Sequence, residues 1–107
     1  MGKYTLNILP RAAKGIVNIK RSGDSGRLRQ MKKALAQLEA DPRHPSLNSH
    51  KAGKNTPAWT AKFGRRDDLW ISYIRTGPGG ERVVWAFGEK SDKVEIIDIE
   101  YIGPHLD

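Results

Sequence analysis

Apolar and polar residues alternate from Lys3 to Leu9, with Tyr4, Leu6 and Ile8 on one side, the period of a half-buried strand. Pro10 follows and suits the first turn of a helix, where its missing N–H costs nothing. Helical spacing then runs through Arg11–Arg21, carrying Ala12, Ala13, Ile16, Val17 and Lys20. Ser22-Gly23-Asp24-Ser25-Gly26 is a tight polar break. A second helix is predicted over Arg27–Ala40: Leu28, Met31, Leu35 and Leu38 form one stripe, and Arg27, Arg29, Lys32 and Lys33 lie off it. Pro42 marks its end. So short a break between two amphipathic helices implies an antiparallel helical hairpin.

Residues 41–57 (DPRHPSLNSHKAGKNTP) read as a long loop, and loops of that length in small domains are usually functional. Four strand-like runs follow, at Trp59–Phe63, Leu69–Arg75, Arg82–Phe87 and Val94–Ile102. Thr76-Gly77-Pro78-Gly79-Gly80 predicts a hairpin turn between the second and third runs, and Lys90-Ser91-Asp92-Lys93 another after them. The expected fold is α+β, in the order β-α-α-β-β-β-β: one domain over residues 1–107, with an antiparallel sheet and a helical hairpin on one face.

Composition narrows the function classes. No cysteine is present, which removes disulfides, thiolate zinc sites and a cysteine nucleophile. The N-terminus lacks the apolar run of a signal peptide, and no stretch approaches the roughly 18 apolar residues of a membrane span, so a cytoplasmic protein is expected. Charge is unevenly spread. Residues 1–66 hold 15 Lys/Arg against three acids, and residues 67–107 hold four against nine. A basic half of net +12 beside an acidic half of net −5 suggests a face that neutralises phosphates.

Beyond these patterns, the run Leu35-Ala36-Gln37-Leu38-Glu39-Ala40-Asp41-Pro42-Arg43-His44-Pro45-Ser46-Leu47-Asn48-Ser49-His50-Lys51 resembles the leucine-rich helix and following loop of RelE/ParE superfamily toxins. Trp59-Thr60-Ala61-Lys62-Phe63 and Ile71-Ser72-Tyr73-Ile74 resemble strands of that family, and Gly103-Pro104-His105 its closing segment. The resemblance implies a curved sheet with a helical hairpin and a cognate antitoxin as partner. In many members it also implies ribonuclease activity on mRNA in the ribosome. ParE-like members instead inhibit DNA gyrase without cutting RNA, so fold alone does not choose the activity. A basic module that binds RNA without cutting it is a third alternative.

RNA cleavage without metal or cofactor needs a base for the 2′-hydroxyl proton, cations for the phosphate and an acid for the leaving oxygen. His105 is the candidate for proton transfer, since an imidazole titrates at about 6.5; the alternative is a frayed terminus. Lys62 lies where the family places functional lysines, though a strand lysine can equally face solvent. Arg75 offers a guanidinium fork for phosphate oxygens, or an ion pair with Glu81. Arg65 and Arg66, with His50, Lys51 and Lys54 of the long loop, are expected to contact RNA phosphates. His44 and His50 make a poor metal pair, lacking a third ligand. Most of Trp59, Trp70, Trp85, Tyr73, Phe63 and Phe87 belong in the core, and an exposed one could stack on a base. Two features depart from the nuclease pattern. Trp70 stands where family nucleases commonly carry arginine, and no tyrosine follows His105.

Overall fold

The computed structural model describes residues 4–52, 63, 68–75, 80–88 and 95–104. Strand β1 (Tyr4–Ile8) leads into helix α1 (Pro10–Arg21), with Pro10 in the first helical turn as its chemistry favours. Helix α2 (Ser25–Ala40) starts two residues before the expected Arg27, because Asp24 caps it and accepts the Arg27 N–H at 3.1 Å. A 3-10 turn (Pro45–Leu47) and a two-residue strand β2 (His50–Lys51) follow inside the stretch expected to be loop. Strands β3 (Trp70–Tyr73), β4 (Glu81–Phe87) and β5 (Glu95–Pro104) complete the fold. Of the strand expected over Trp59–Phe63 only Phe63 is described, and it is helical and buried. No helix among the described residues is long and apolar enough to cross a membrane.

The five strands are ordered β1-β5-β4-β3-β2. β3, β4 and β5 pair antiparallel in turn, as expected, and the unexpected β2 pairs antiparallel with β3, but β1 lies parallel to β5, with Tyr4 opposite Glu95 and Ile8 opposite Ile99. The sheet is therefore mixed. Two helices between β1 and the rest return the chain by a crossover, which permits parallel pairing that a tight turn would forbid.

Alternation along β4 divides the core. Val83 and Trp85 face the helices, where they pack with Ala12, Ile19, Met31, Leu38, Ile97 and Ile99. Val84 and Ala86 face the other way and join Phe63, Leu69, Ile71 and Tyr101 in a second cluster. The α1 stripe differs from expectation. Ala12, Gly15 and Ile19 are buried, whereas Ala13, Val17 and Lys20 are exposed. Gly15 explains the rotation: a Cβ there would lie 1.8 Å from the Ile102 carbonyl oxygen, so helix and strand approach more closely than any side chain allows.

Candidate functional site at the edge of the sheet

The site begins with a turn. Pro45–Leu47 makes one 3-10 turn, and Asn48 then takes the left-handed conformation (φ 48°), which asparagine tolerates better than most residues. Ser49 pins the chain after this turn. Its hydroxyl donates to the Pro42 carbonyl at 2.6 Å and lies 2.6 Å from the hydroxyl of Ser72, which also accepts the Trp85 indole N–H at 2.8 Å. Ser72 is fully buried, so this polar chain ties the loop to β3 and β4.

His50 and Lys51 come next, on the outermost strand of the sheet. Because side chains alternate, His50 shares the face opposite α1 and α2 with its partner Ile71, and Lys51 shares the face of α1 and α2 with Trp70. The His50 Nδ1 lies 3.0 Å from the Asn48 carbonyl oxygen. A carbonyl can only accept, so the ring donates from Nδ1 in this pair, and in the neutral tautomer that this bond selects Nε2 is the acceptor nitrogen. The Tyr73 ring meets His50 edge-on, with centroids 5.7 Å apart.

Behind Tyr73 stands Arg82, its partner across the β3–β4 pair. The Arg82 guanidinium carbon lies 4.1 Å from the centre of the Tyr73 ring, and Nη1 donates to the carbonyls of Arg75 (2.6 Å), Gly80 (2.8 Å) and Glu81 (3.3 Å). Arg82 is buried and spends its charge on the β3–β4 turn, where it holds Tyr73 rather than a ligand. Gly80 leaves room for this: a Cβ there would meet the Arg75 carbonyl oxygen at 2.3 Å and Arg82 Nη1 at 2.9 Å.

Arg75 is exposed, and its Nε lies 4.0 Å from Glu81 Oε1. The ion pair weighed against phosphate contact is thus present, but loose. Glu81 is more firmly held by Arg27, whose Nη2 donates to Oε2. Arg27, Glu81 and Tyr101 also line a cleft of about 370 Å³ between α1 and the end of β5, with Arg11 and Lys14 at its basic side. The Tyr101 hydroxyl donates to the Pro104 carbonyl at 3.0 Å, and burial raises its pKa above the ordinary 10.0.

Of the residues singled out in the sequence, His50 stands with Tyr73 on the face opposite α1 and α2, Lys51 stands on the other face, and Arg75 lies at the end of β3 beside Glu81. Lys54, Lys62, Arg65, Arg66 and His105 lie outside the described residues. Trp70 turns toward the helices and stacks on Trp85, so that position of β3 brings nothing to the site. Sequence reasoning missed Arg82 and the proton-accepting role open to His50. The hairpin signal at Thr76–Gly80 could have found the first, since it implies that residues flanking the turn pair across it. No three His, Asp or Glu side chains among the described residues converge where a metal could bind.

No protein-family model and no curated protein matches the sequence. The fold, however, is similar to solved structures over nearly its whole length. A YoeB/ParE toxin from Agrobacterium tumefaciens matches with a TM-score of 0.70 and 9% identity, covering 95% of this chain and 99% of that one. YoeB from Staphylococcus aureus, solved as a dimer, matches with a TM-score of 0.59 and 14% identity, covering 97% and 99%. YafQ in its E. coli toxin–antitoxin complex with DinJ matches with a TM-score of 0.53 and 12% identity, covering 96% and 93%. This chain therefore has the fold of the RelE/ParE superfamily.

Proposed function

We propose that this chain, built on a toxin fold, is the toxin of a toxin–antitoxin pair and acts in the cytoplasm as an endoribonuclease that cuts mRNA at the ribosome. The observation that carries the reading is the β2 edge of the sheet, where an exposed imidazole whose Nδ1 is held by a backbone carbonyl meets the edge of a tyrosine ring backed by Arg82. His50 takes the proton from a ribose 2′-hydroxyl, and the freed oxygen attacks the adjacent phosphorus. Arg75 then meets the charge on the phosphate oxygens, with Lys62, Arg65 and Arg66 as further cations and Lys51 and Lys54 on flanking phosphates. His105 returns a proton to the leaving 5′-oxygen, and a 2′,3′-cyclic phosphate remains. Each proton has a protein donor or acceptor, so the scheme runs without a metal. A cognate antitoxin is the proposed partner, by analogy with the complex in which YafQ was solved.

One observation favours a second reading, a ParE-like inhibitor of gyrase that does not cut RNA. Trp70 occupies a strand position where nucleases of this fold commonly carry arginine, and it faces the helices.

Primer extension on an in vitro translation reaction separates the two. New mRNA ends that appear only with ribosomes support the proposed activity, and ends on naked RNA make the protein a free ribonuclease. His50→Ala and Arg75→Ala should each abolish the new ends in a folded protein. Intact mRNA in every reaction with folded wild-type protein, together with accumulating gyrase–DNA cleavage complexes, would replace this reading by the second.

A further inference from the structure

Helix α2 ends at Ala40, and beyond its C-terminus the helix face of the sheet carries a run of aromatic rings. Trp85 stacks on Trp70 at 5.6 Å and 14° between planes. Phe87 meets Trp85 edge-on at 5.0 Å, and Tyr4 lies 6.0 Å from Phe87 on the other side. The inner rings are core, as Trp85 is fully buried, but Phe87 is 40% exposed. It opens on a cleft of about 620 Å³ lined by Tyr4, Ala40, Asp41, Pro42, Arg43 and Phe87.

The charged groups around this cleft are of a particular kind. Arg43 lies 5.7 Å and Lys51 5.4 Å from the centre of the Trp70 ring. One carboxylate oxygen of Asp41 accepts the Arg43 N–H at 3.1 Å, and the side chain makes no other hydrogen bond among the described residues. The cleft thus offers an open π surface, one carboxylate acceptor and two nearby cations. A nucleotide answers all of these, by stacking its base, donating a base N–H and presenting phosphates. A purely apolar protein side chain would answer only the first.

Connectivity points the same way. Lys51 shares its two-residue strand with His50, and the two project from opposite faces of the sheet's outermost strand. A single RNA strand lying against His50 therefore reaches the aromatic cleft by turning around one strand.

We propose that the cleft is a stacking subsite for one unpaired nucleobase of the bound RNA. Phe87 and Tyr4 supply the ring surfaces, Asp41 accepts a base N–H, and Arg43 and Lys51 hold the flanking phosphates. The inference rests on the proposed RNA-cutting activity and extends it to a second face. It makes the protein a reader of single-stranded RNA next to the cut.

The test uses the full chain and a fluorescently labelled RNA octamer with 2′-O-methyl sugars, which lacks the attacking hydroxyl and cannot be cut. Affinity is read by polarisation, against a blunt duplex of the same sequence. Wild-type protein should prefer the single strand. Phe87→Leu, which keeps an apolar contact with Trp85 but removes the ring, should weaken binding by about tenfold, the typical loss of one stacked base. Asp41→Asn should weaken it less. Equal affinity for duplex and single strand, or Phe87→Leu binding like wild type, overturns the subsite. Should Phe87→Leu fail to fold, photocrosslinking of a 5-bromouridine octamer to wild-type protein decides. Crosslinks at Tyr4, Arg43 or Phe87 support the subsite, and crosslinks confined to other residues refute it. The two readings fail separately. Protein that cuts unmodified RNA yet ignores Phe87→Leu loses only the subsite, and protein that binds through Phe87 but never cuts loses only the nuclease activity.

Discussion

Gly15→Ala should destabilise the protein, against the direction that helix propensity alone dictates. In a free helix, alanine in place of an interior glycine gains about 0.8–1.0 kcal/mol. Here the new Cβ would lie 1.8 Å from the Ile102 carbonyl oxygen, where ordinary contact begins near 3.4 Å, so α1 must retreat from β5 by about 1.6 Å. The retreat opens the joint at Ala12, Ile19 and Ile102, which are 0%, 2% and 1% exposed. A radial gap of even 0.5–1 Å forfeits roughly a quarter to a half of each van der Waals contact. Strain from overfilling a packed joint typically costs about 1–3 kcal/mol and can exceed it. Lost contacts and strain together outweigh the propensity gain, for a net loss of about 2–4 kcal/mol. That is a large share of the roughly 5–15 kcal/mol that holds a domain of this size. Urea denaturation measures it, as a midpoint lowered by about 1–2 M at the slopes usual for small proteins. Asn18→Ala, at an exposed position of the same helix, is the control and should gain a few tenths of a kcal/mol. If Gly15→Ala were stabilised as the control is, α1 would not lie against β5 as described.

Other perturbations act on the same set of contacts. Arg27→Met should cost about 3 kcal/mol, because it strands the carboxylate of Glu81, only 5% exposed, with Arg75 still 4.0 Å away; adding Glu81→Met should recover most of it. Purely additive losses in that pair, read by denaturation, would mean that the ion pair carries no coupling. Ser72→Ala should cost about 1–3 kcal/mol by leaving the Trp85 N–H without its acceptor, and should lower RNA cutting by freeing Ser49 beside His50. Loss of stability with unchanged cutting would remove the positioning role. Burial raises the Tyr101 pKa, so its contribution to stability is complete below 10.0 and is lost as pH climbs through the folded-state value. Tyr101→Phe should flatten that alkaline decline in a pH series of melting curves, and an unchanged decline would assign it to another group.

Long periodic segments were legible in the sequence because their patterns are local. Both helices, β1 and the three C-terminal strands lie within a few residues of expectation. The misses share a cause, in that each was decided by a partner distant in the chain. Gly15 is buried by Ile102, so a hydrophobic pattern could not mark it as part of the buried stripe. β2 is too short to show a period, and it exists because it pairs with Trp70 and Ile71. The parallel match of β1 with β5 spans most of the chain. At the site, residue type alone nominated His50 and Arg75. That His50 and Lys51 project from opposite faces depends on a strand alternation that could be counted only once β2 was known. Arg82 escaped because its charge serves the turn beneath Tyr73, and nothing in the sequence separates such an arginine from one that binds phosphate.

The place of β5 between β1 and β4 has a consequence for how the protein is made. β5 joins β1 on one side and β4 on the other, so neither half of the sheet has its neighbour until Glu95–Pro104 exists. During synthesis β1, α1 and α2 emerge long beforehand, with the apolar stripe of Ala12, Ile19, Met31 and Leu38 uncovered. The native pairing then has to close a loop of some 90 residues, from Tyr4 to Glu95, which favours slow, late assembly. A nascent chain in that state exposes the surfaces that chaperones bind and that drive aggregation. Folding is therefore deferred to a single late event, and every function that needs the assembled face is deferred with it.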